Sequence, residues 1–278
     1  MKRLKRAFRV LWVAYDRFNL NDGWSMSGFI AFSGLLSIFP FLIFAATLIG
    51  ILVGPERSDS IIEALFDIAP EHVAQTLTPV VVEVLHKQSG EVLTLSAVFA
   101  IWVASSAVEA FRIAFDRAYA VPDPRGFFHN RALAFALVFL GAIVAALLGV
   151  TILFMPLILR FAEHVLKVPI PAIATYTTSF FGVLVFVAFL LVMHRVLPGR
   201  HIKTSRLWPG VIVTTILWVA AASVFSIYLS FTPSYTVTYG TLAGVIITLM
   251  FFYLTGLTII FGAEVNAALN QLGHAERG

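Results

Sequence analysis

The sequence contains no cysteine in 278 residues, which excludes disulfide staples and thiolate metal sites. Charge is nearly as scarce. Asp, Glu, Lys and Arg together make up 12% of the chain against 59% hydrophobic residues, where a soluble domain is about a quarter charged. With a mean hydropathy of +0.92, this composition excludes an ordinary soluble domain and implies an integral membrane protein. Catalytic signatures are missing too. There is no glycine-rich phosphate loop and no G-x-S-x-G elbow. A metal-dependent nuclease clusters His and carboxylates around two ions ~4 Å apart. The histidines here (His72, His86, His129, His164, His194, His201 and His274) include no pair with zinc-like spacing. The expectation is a protein with no enzymatic activity, no cofactor and no metal.

What is present is a set of long apolar runs. Six are long enough for the ~30 Å hydrocarbon layer, which takes about 20 helical residues: 29–53, 92–111, 132–159, 172–193, 207–231 and 243–262. Glycine and proline punctuate most of their ends, as at Gly54-Pro55, Pro122 to Gly126 and Pro198-Gly199. The sequence therefore predicts an all-α, polytopic membrane protein with six transmembrane helices in a single membrane domain, 1–278. Of the 19 Lys and Arg residues, only Arg57, Lys87, Arg160 and Lys167 fall on one side of that topology. The positive-inside rule then places both termini in the cytoplasm. The same spread of basic residues over several cytoplasmic ends explains the basic pI without nucleic acid as a partner. Membrane lipids are the expected partners; an envelope protein or a second copy of the chain is left open.

Two regions outside the spans are patterned. Residues 1–23 do not read as a cleaved signal, because Asp16 and Arg17 interrupt a short apolar stretch. Phe8, Leu11, Trp12 and Tyr15 share one helical face, with Arg6 and Arg9 toward headgroups, which suits an amphipathic cytoplasmic helix on the membrane or a plain lead-in to the first span. Residues 55–90 predict two amphipathic helices in the first outer, periplasmic loop, one carrying Ile61, Ile62, Leu65 and Phe66 and the other Val73, Leu77, Val80, Val81, Val84 and Leu85. They form a lid over an outward cavity or rest on headgroups. Small residues mark close helix contacts at Gly141, Ala145 and Gly149, at Gly240 and Gly244, and at Ser33, Gly34 and Ser37.

The span centres carry no ionisable residue. Charge gathers instead at span ends, in SSAVEAFRIAFDRAY (Ser105–Tyr119) and FGAEVNAAL (Phe261–Leu269). Glu109, Arg112 and Asp116 share one helical face, and the topology sets Glu264 and Asn266 in the same cytoplasmic layer. Glu109, Arg112, Asp116, Glu264 and Asn266 thus form a candidate cytoplasmic-side network. It either pins helix ends or acts as an inner gate, with Arg112 and Arg117 as alternative headgroup contacts. Ser33, Ser37 and Pro40 are candidates for a kinked, cavity-facing stretch, and Tyr235 and Tyr239 for the lining of an outer cavity.

Three segments together resemble the YihY/BrkB family of bacterial inner-membrane proteins: DGWSMSGFIAFSGLLSIFPFLIF (Asp22–Phe44), EAFRIAFDRAYAVPDPRGFFHNR (Glu109–Arg131) and YGTLAGVIITLMFFYLTGLTIIFGAEVNAAL (Tyr239–Leu269). Their order and the six-span layout extend the resemblance over nearly the whole chain. The family pattern has an aromatic at the position of Ser33 and Asn at that of Asp116, so no role is carried over to those two residues. The resemblance implies an envelope protein; labels for virulence, serum resistance and a transfer-RNA ribonuclease attach to the family, as do proposals of lipid or small-solute movement. The residues and the resemblance together lead to the expectation of a translocator for a lipid-like, amphipathic or weakly polar molecule, or else a non-transporting envelope scaffold or assembly factor.

Overall fold

The computed structural model describes residues 2–53, 90–144, 171–200, 202–231 and 242–275. Among the described residues there is no strand, in keeping with the all-α expectation. The helices are α1 (Lys2–Leu20), α2 (Gly23–Val53), α3 (Gly90–Tyr119), α4 (Phe127–Val144), α5 (Pro171–Val196), α6 (Trp208–Ser230) and α7 (Leu242–Ala275), with a 3-10 turn at Thr204–Arg206 before α6. Phe127–Val144, Trp208–Ser230 and Ala243–Leu272 are each long and apolar enough to cross a membrane; Gly23–Ile38 and Phe180–Val196 are shorter apolar helices.

Two helices run well past the apolar stretches that announce them. The α3 helix continues through all the charges to Tyr119, and α7 continues beyond Gly262 to Ala275. The α2 helix passes through Pro40 as one element. The expected surface helices at 55–89, the remainder of the third apolar run after 144, and Gly240, Tyr235 and Tyr239 lie outside the described residues.

The chain divides into two compact units: Met1–Gly23, Arg112–Leu217 and Thr258–Gly278 make up the first, and Trp24–Phe111 with Trp218–Leu257 the second. In the first unit, α1 packs along the last turns of α7. Val10 and Ala14 meet Val265 and Ala268, bordered by Val13, Val213, Phe261, Leu269 and Leu272. Phe18 meets Phe261 edge to face at 6.1 Å, a favoured aromatic geometry. It also fills the space that a side chain on Gly23 would need.

The second unit is held by shape. A Cβ placed on Gly256 would lie 3.2 Å from Ser27 Cα, and one on Gly34 3.1 Å from the Phe252 ring, so α2 and α7 approach closely where the side chains are smallest. Trp218 and Phe225 pack on Phe251 with ring centroids 6.1 and 6.4 Å apart. The expectation of a tight contact at Gly141 is corrected: a Cβ there would meet Phe189 at 3.9 Å, an ordinary van der Waals distance.

Candidate functional site

The polar side chains of the first unit assemble around the ends of α1, α3, α5 and α7. Glu264 is the centre of one group. It lies inside the long apolar run of α7 yet is 0% exposed. Arg17 Nε donates to its Oε2 at 3.0 Å, and Asn21 Nδ2 to its Oε1 at 2.6 Å. Both donors come from the end of α1 and the turn after it. Arg17 also donates to the Ala118 carbonyl at 2.6 Å and to Gln271 Oε1 at 3.3 Å. One guanidinium therefore ties α1, α3 and α7 together. Its planar fork suits such a role, because fixed donors point in several directions at once.

Asn266, two residues on, serves another junction. Its Oδ1 accepts from the Gly210 N–H at 2.7 Å, and its Nδ2 donates to the Leu207 carbonyl at 3.1 Å and to Tyr119 Oη at 3.2 Å. Gly210 is in the first turn of α6, where backbone N–H groups have no partner within the helix. Asn266 therefore caps α6 from a neighbouring helix. Such a reach requires backbones in near contact, which explains two glycines. A Cβ on Gly210 would strike the Gly262 carbonyl and the Asn266 amide, and one on Gly262 would strike Thr214 Oγ1.

Tyr119 passes the chain on to His194, with Oη and Nδ1 2.9 Å apart. Which of the two donates is set by the His194 tautomer. Burial pushes the Tyr119 phenol well above its ordinary value, so it stays protonated. His194 is fully buried and stacked on Phe115 at 4.5 Å.

The third group closes the turn between α3 and α4. The α3 helix ends with Ala120 at φ 51°, while the Val121 N–H bonds the Asp116 carbonyl and the Ala120 N–H bonds that of Arg117. This is a Schellman-type end with alanine in the place glycine usually takes. Asp123 then accepts from Arg112, from Arg125 Nε at 2.7 Å and from Asn130 Nδ2 at 2.8 Å. Burial works to raise its pKa, but the Arg125 and Asn130 hydrogen bonds outweigh it and hold Asp123 at about 2. Arg125 also donates to the carbonyls of Val196 and Leu197, at the end of α5, where a cation complements the helix dipole. Asp116 accepts from Arg112 at 2.8 Å and from the Gly199 N–H at 2.7 Å. Burial nonetheless raises Asp116 from its ordinary value.

The expected network is thus resolved into separate junctions. Arg112 and Asp116 are joined as their spacing indicates, Arg112 pairs with Asp123 as well, and Arg117 pairs with Asp22 at 3.0 Å. Glu264 and Asn266 are both buried within the first unit, where α1 covers the last turns of α7. Glu109 is half-buried and belongs to the second unit. Ser33 is buried, and Ser37 Oγ bonds the Gly34 carbonyl of its own helix at 2.7 Å. Sequence reasoning missed Arg17, Asn21, Tyr119, Asp123, Arg125 and His194 as members. For Arg17 the available signal was its place beside the Val10–Ala14–Phe18 side of α1. Among the described residues, no group of three or more His, Asp or Glu is placed to hold a metal ion.

Among the described residues, helices without strands, three of them long and apolar, define a membrane protein of the α-helical class. The family described as Virulence factor BrkB matches residues 14–278, and the chain belongs to that family. It is 30% identical over 263 residues to a protein of Bacillus subtilis named "Putative ribonuclease-like protein YfkH", covering 92% of this chain and 94% of that one. A UPF0761 membrane protein of Alteromonas mediterranea is 23% identical over 252 residues, covering 88% and 82% of the two chains. One from Coxiella burnetii is 39% identical over 84 residues, 30% of each chain. No solved structure matches.

Proposed function

We propose that the chain is a six-span inner-membrane protein with both termini in the cytoplasm, and that it moves a lipid-like, amphipathic or weakly polar molecule without ion coupling. The observation that carries this reading is the state of Glu264. It is the only acidic residue in the three long apolar helices, and an ionisable residue in a span is by default a candidate proton or ion carrier. Here it is held by Arg17 and Asn21, the arrangement of a pin. A cargo that needs no countercharge fits such helices. The ribonuclease wording belongs to the Bacillus relative's name; a non-enzymatic role suits the residues of this chain better.

A non-transporting scaffold is the second reading. The observation in its favour is that the polar side chains of the first unit are spent on fixing helix ends. Reconstitution of the purified protein into liposomes separates the two. Translocation predicts faster exchange of headgroup-labelled lipid, or faster solute flux, than in protein-free vesicles, with no dependence on an imposed proton gradient. Folded protein that accelerates neither supports the scaffold, and strict dependence on the gradient contradicts the uncoupled reading.

A further inference from the structure

The face of α1 opposite its contact with α7 has a composition that the junctions above do not use. Phe8, Leu11, Trp12 and Tyr15 are exposed, Phe8 by 70% and Trp12 by 58%. At 100° per residue they form one stripe, roughly opposite Val10 and Ala14. Lys5 and Arg9, also exposed, border this stripe on one side, and no acidic residue precedes Asp16.

We infer that this stripe is a docking surface for anionic phospholipid headgroups, which makes α1 an in-plane anchor as well as a packed helix. Two observations select that occupant. Along the first turns the charge bordering the stripe, Lys5 and Arg9, is cationic and complements an anionic leaflet, each near-surface basic residue strengthening the attraction, while exposed Asp16 follows toward the far end of the helix. The helix is also fastened beside a membrane-crossing element: its buried face meets Val265, Ala268 and Leu272, which belong to the apolar run Ala243–Leu272. A helix held there by one face has its other face at the level where aromatic rings and basic side chains meet headgroups. The inference does not depend on what, if anything, the protein moves.

The absence of cysteine makes the test direct. A fluorophore on Phe8→Cys in the full-length protein is unique. The protein is reconstituted into phosphatidylcholine vesicles containing phosphatidylglycerol, with one lipid or the other brominated as a quencher. The brominated phosphatidylglycerol is expected to quench about 5-fold more effectively than the brominated phosphatidylcholine, and Lys5→Gln with Arg9→Gln is expected to abolish that preference. Tyr15→Cys reads the same face and serves where Phe8→Cys does not fold. Equal quenching by the two lipids overturns the inference. So does a label reached by aqueous iodide but not by lipid, or one shielded from both, which would mean a protein partner or a second copy on this face.

Discussion

The described polar side chains of the two units differ in where most of their bonds go, although Thr215 of the first also bonds back to Val211 of its own helix. In the first, side chains bond to residues distant in sequence: Arg17 to Glu264 and Ala118, Asn266 to Leu207 and Gly210, Asp116 to Gly199. In the second, hydroxyls bond back to their own helix: Ser105 to Trp102, Ser223 to Val219, Thr248 to Gly244 and Thr255 to Phe251. Trp218 Nε1 also donates between helices, to Thr255 Oγ1 at 3.1 Å. A hydroxyl satisfied by its own helix can face hydrocarbon without a partner, and it leaves helix association to close packing. Long-range polar bonds instead specify which helix ends meet. The described bonds of the second unit thus leave its helices to close packing, and those of the first form a junction where charged groups are placed and matched.

This contrast gives a ranked set of expectations for unfolding measured in mixed micelles. Arg17→Met leaves Glu264 buried without its cation and is expected to lower stability by about 3–5 kcal/mol. Gly262→Leu forces a side chain into Thr214 and the Gly210 carbonyl, at about 3 kcal/mol; Gly141→Ala, with open contact distances, is expected to be tolerated. Asp123 supplies the pH dependence. Its folded value of about 2 lies below the ordinary 3.8, so its contribution is complete above about pH 4 and is lost as pH falls toward 2. That loss amounts to about 2 kcal/mol and should vanish in Asp123→Asn; Asp116, raised in the fold, contributes with the opposite sign. Thr248→Val in the second unit should change stability by only about 0.5 kcal/mol, and a cost of several kcal/mol would break the contrast. Arg117→Ala, removing a pair exposed to solvent, should have the smallest effect, below about 0.5 kcal/mol.

Much of the helical framework was legible because apolar runs and their Gly/Pro ends act locally. Composition alone implied helices in a membrane, and the i, i+4 spacing of Arg112 and Asp116 announced their pair. The junctions were harder to read because each partner looks ordinary by itself. Nothing local in DRFNLNDG distinguishes Arg17 as the cation of a carboxylate on α7, and Tyr119 reads as a helix-end aromatic until Asn266 reaches it. Gly210 and Gly262 were missed for a related reason. They do not form a repeated small-residue pattern on one helix; each is small because the other's backbone is there. The extension of α7 past its hydrophobic stretch was hidden because Glu264 and Asn266 look like the start of solvent, although α1 supplies the cover that keeps them buried.

The account rests most heavily on the reading of Arg17 and Glu264 as a structural pin, and a double-mutant cycle tests it. Arg17→Met, Glu264→Met and the double variant are compared in unfolding free energy with the parent. The account predicts that each single change destabilises strongly and that the double variant recovers much of the loss, with a coupling of about 2–3 kcal/mol. Additive effects, with coupling below about 0.5 kcal/mol, would mean that the two charges are not partners and would return Glu264 to candidacy as a mobile carrier of charge.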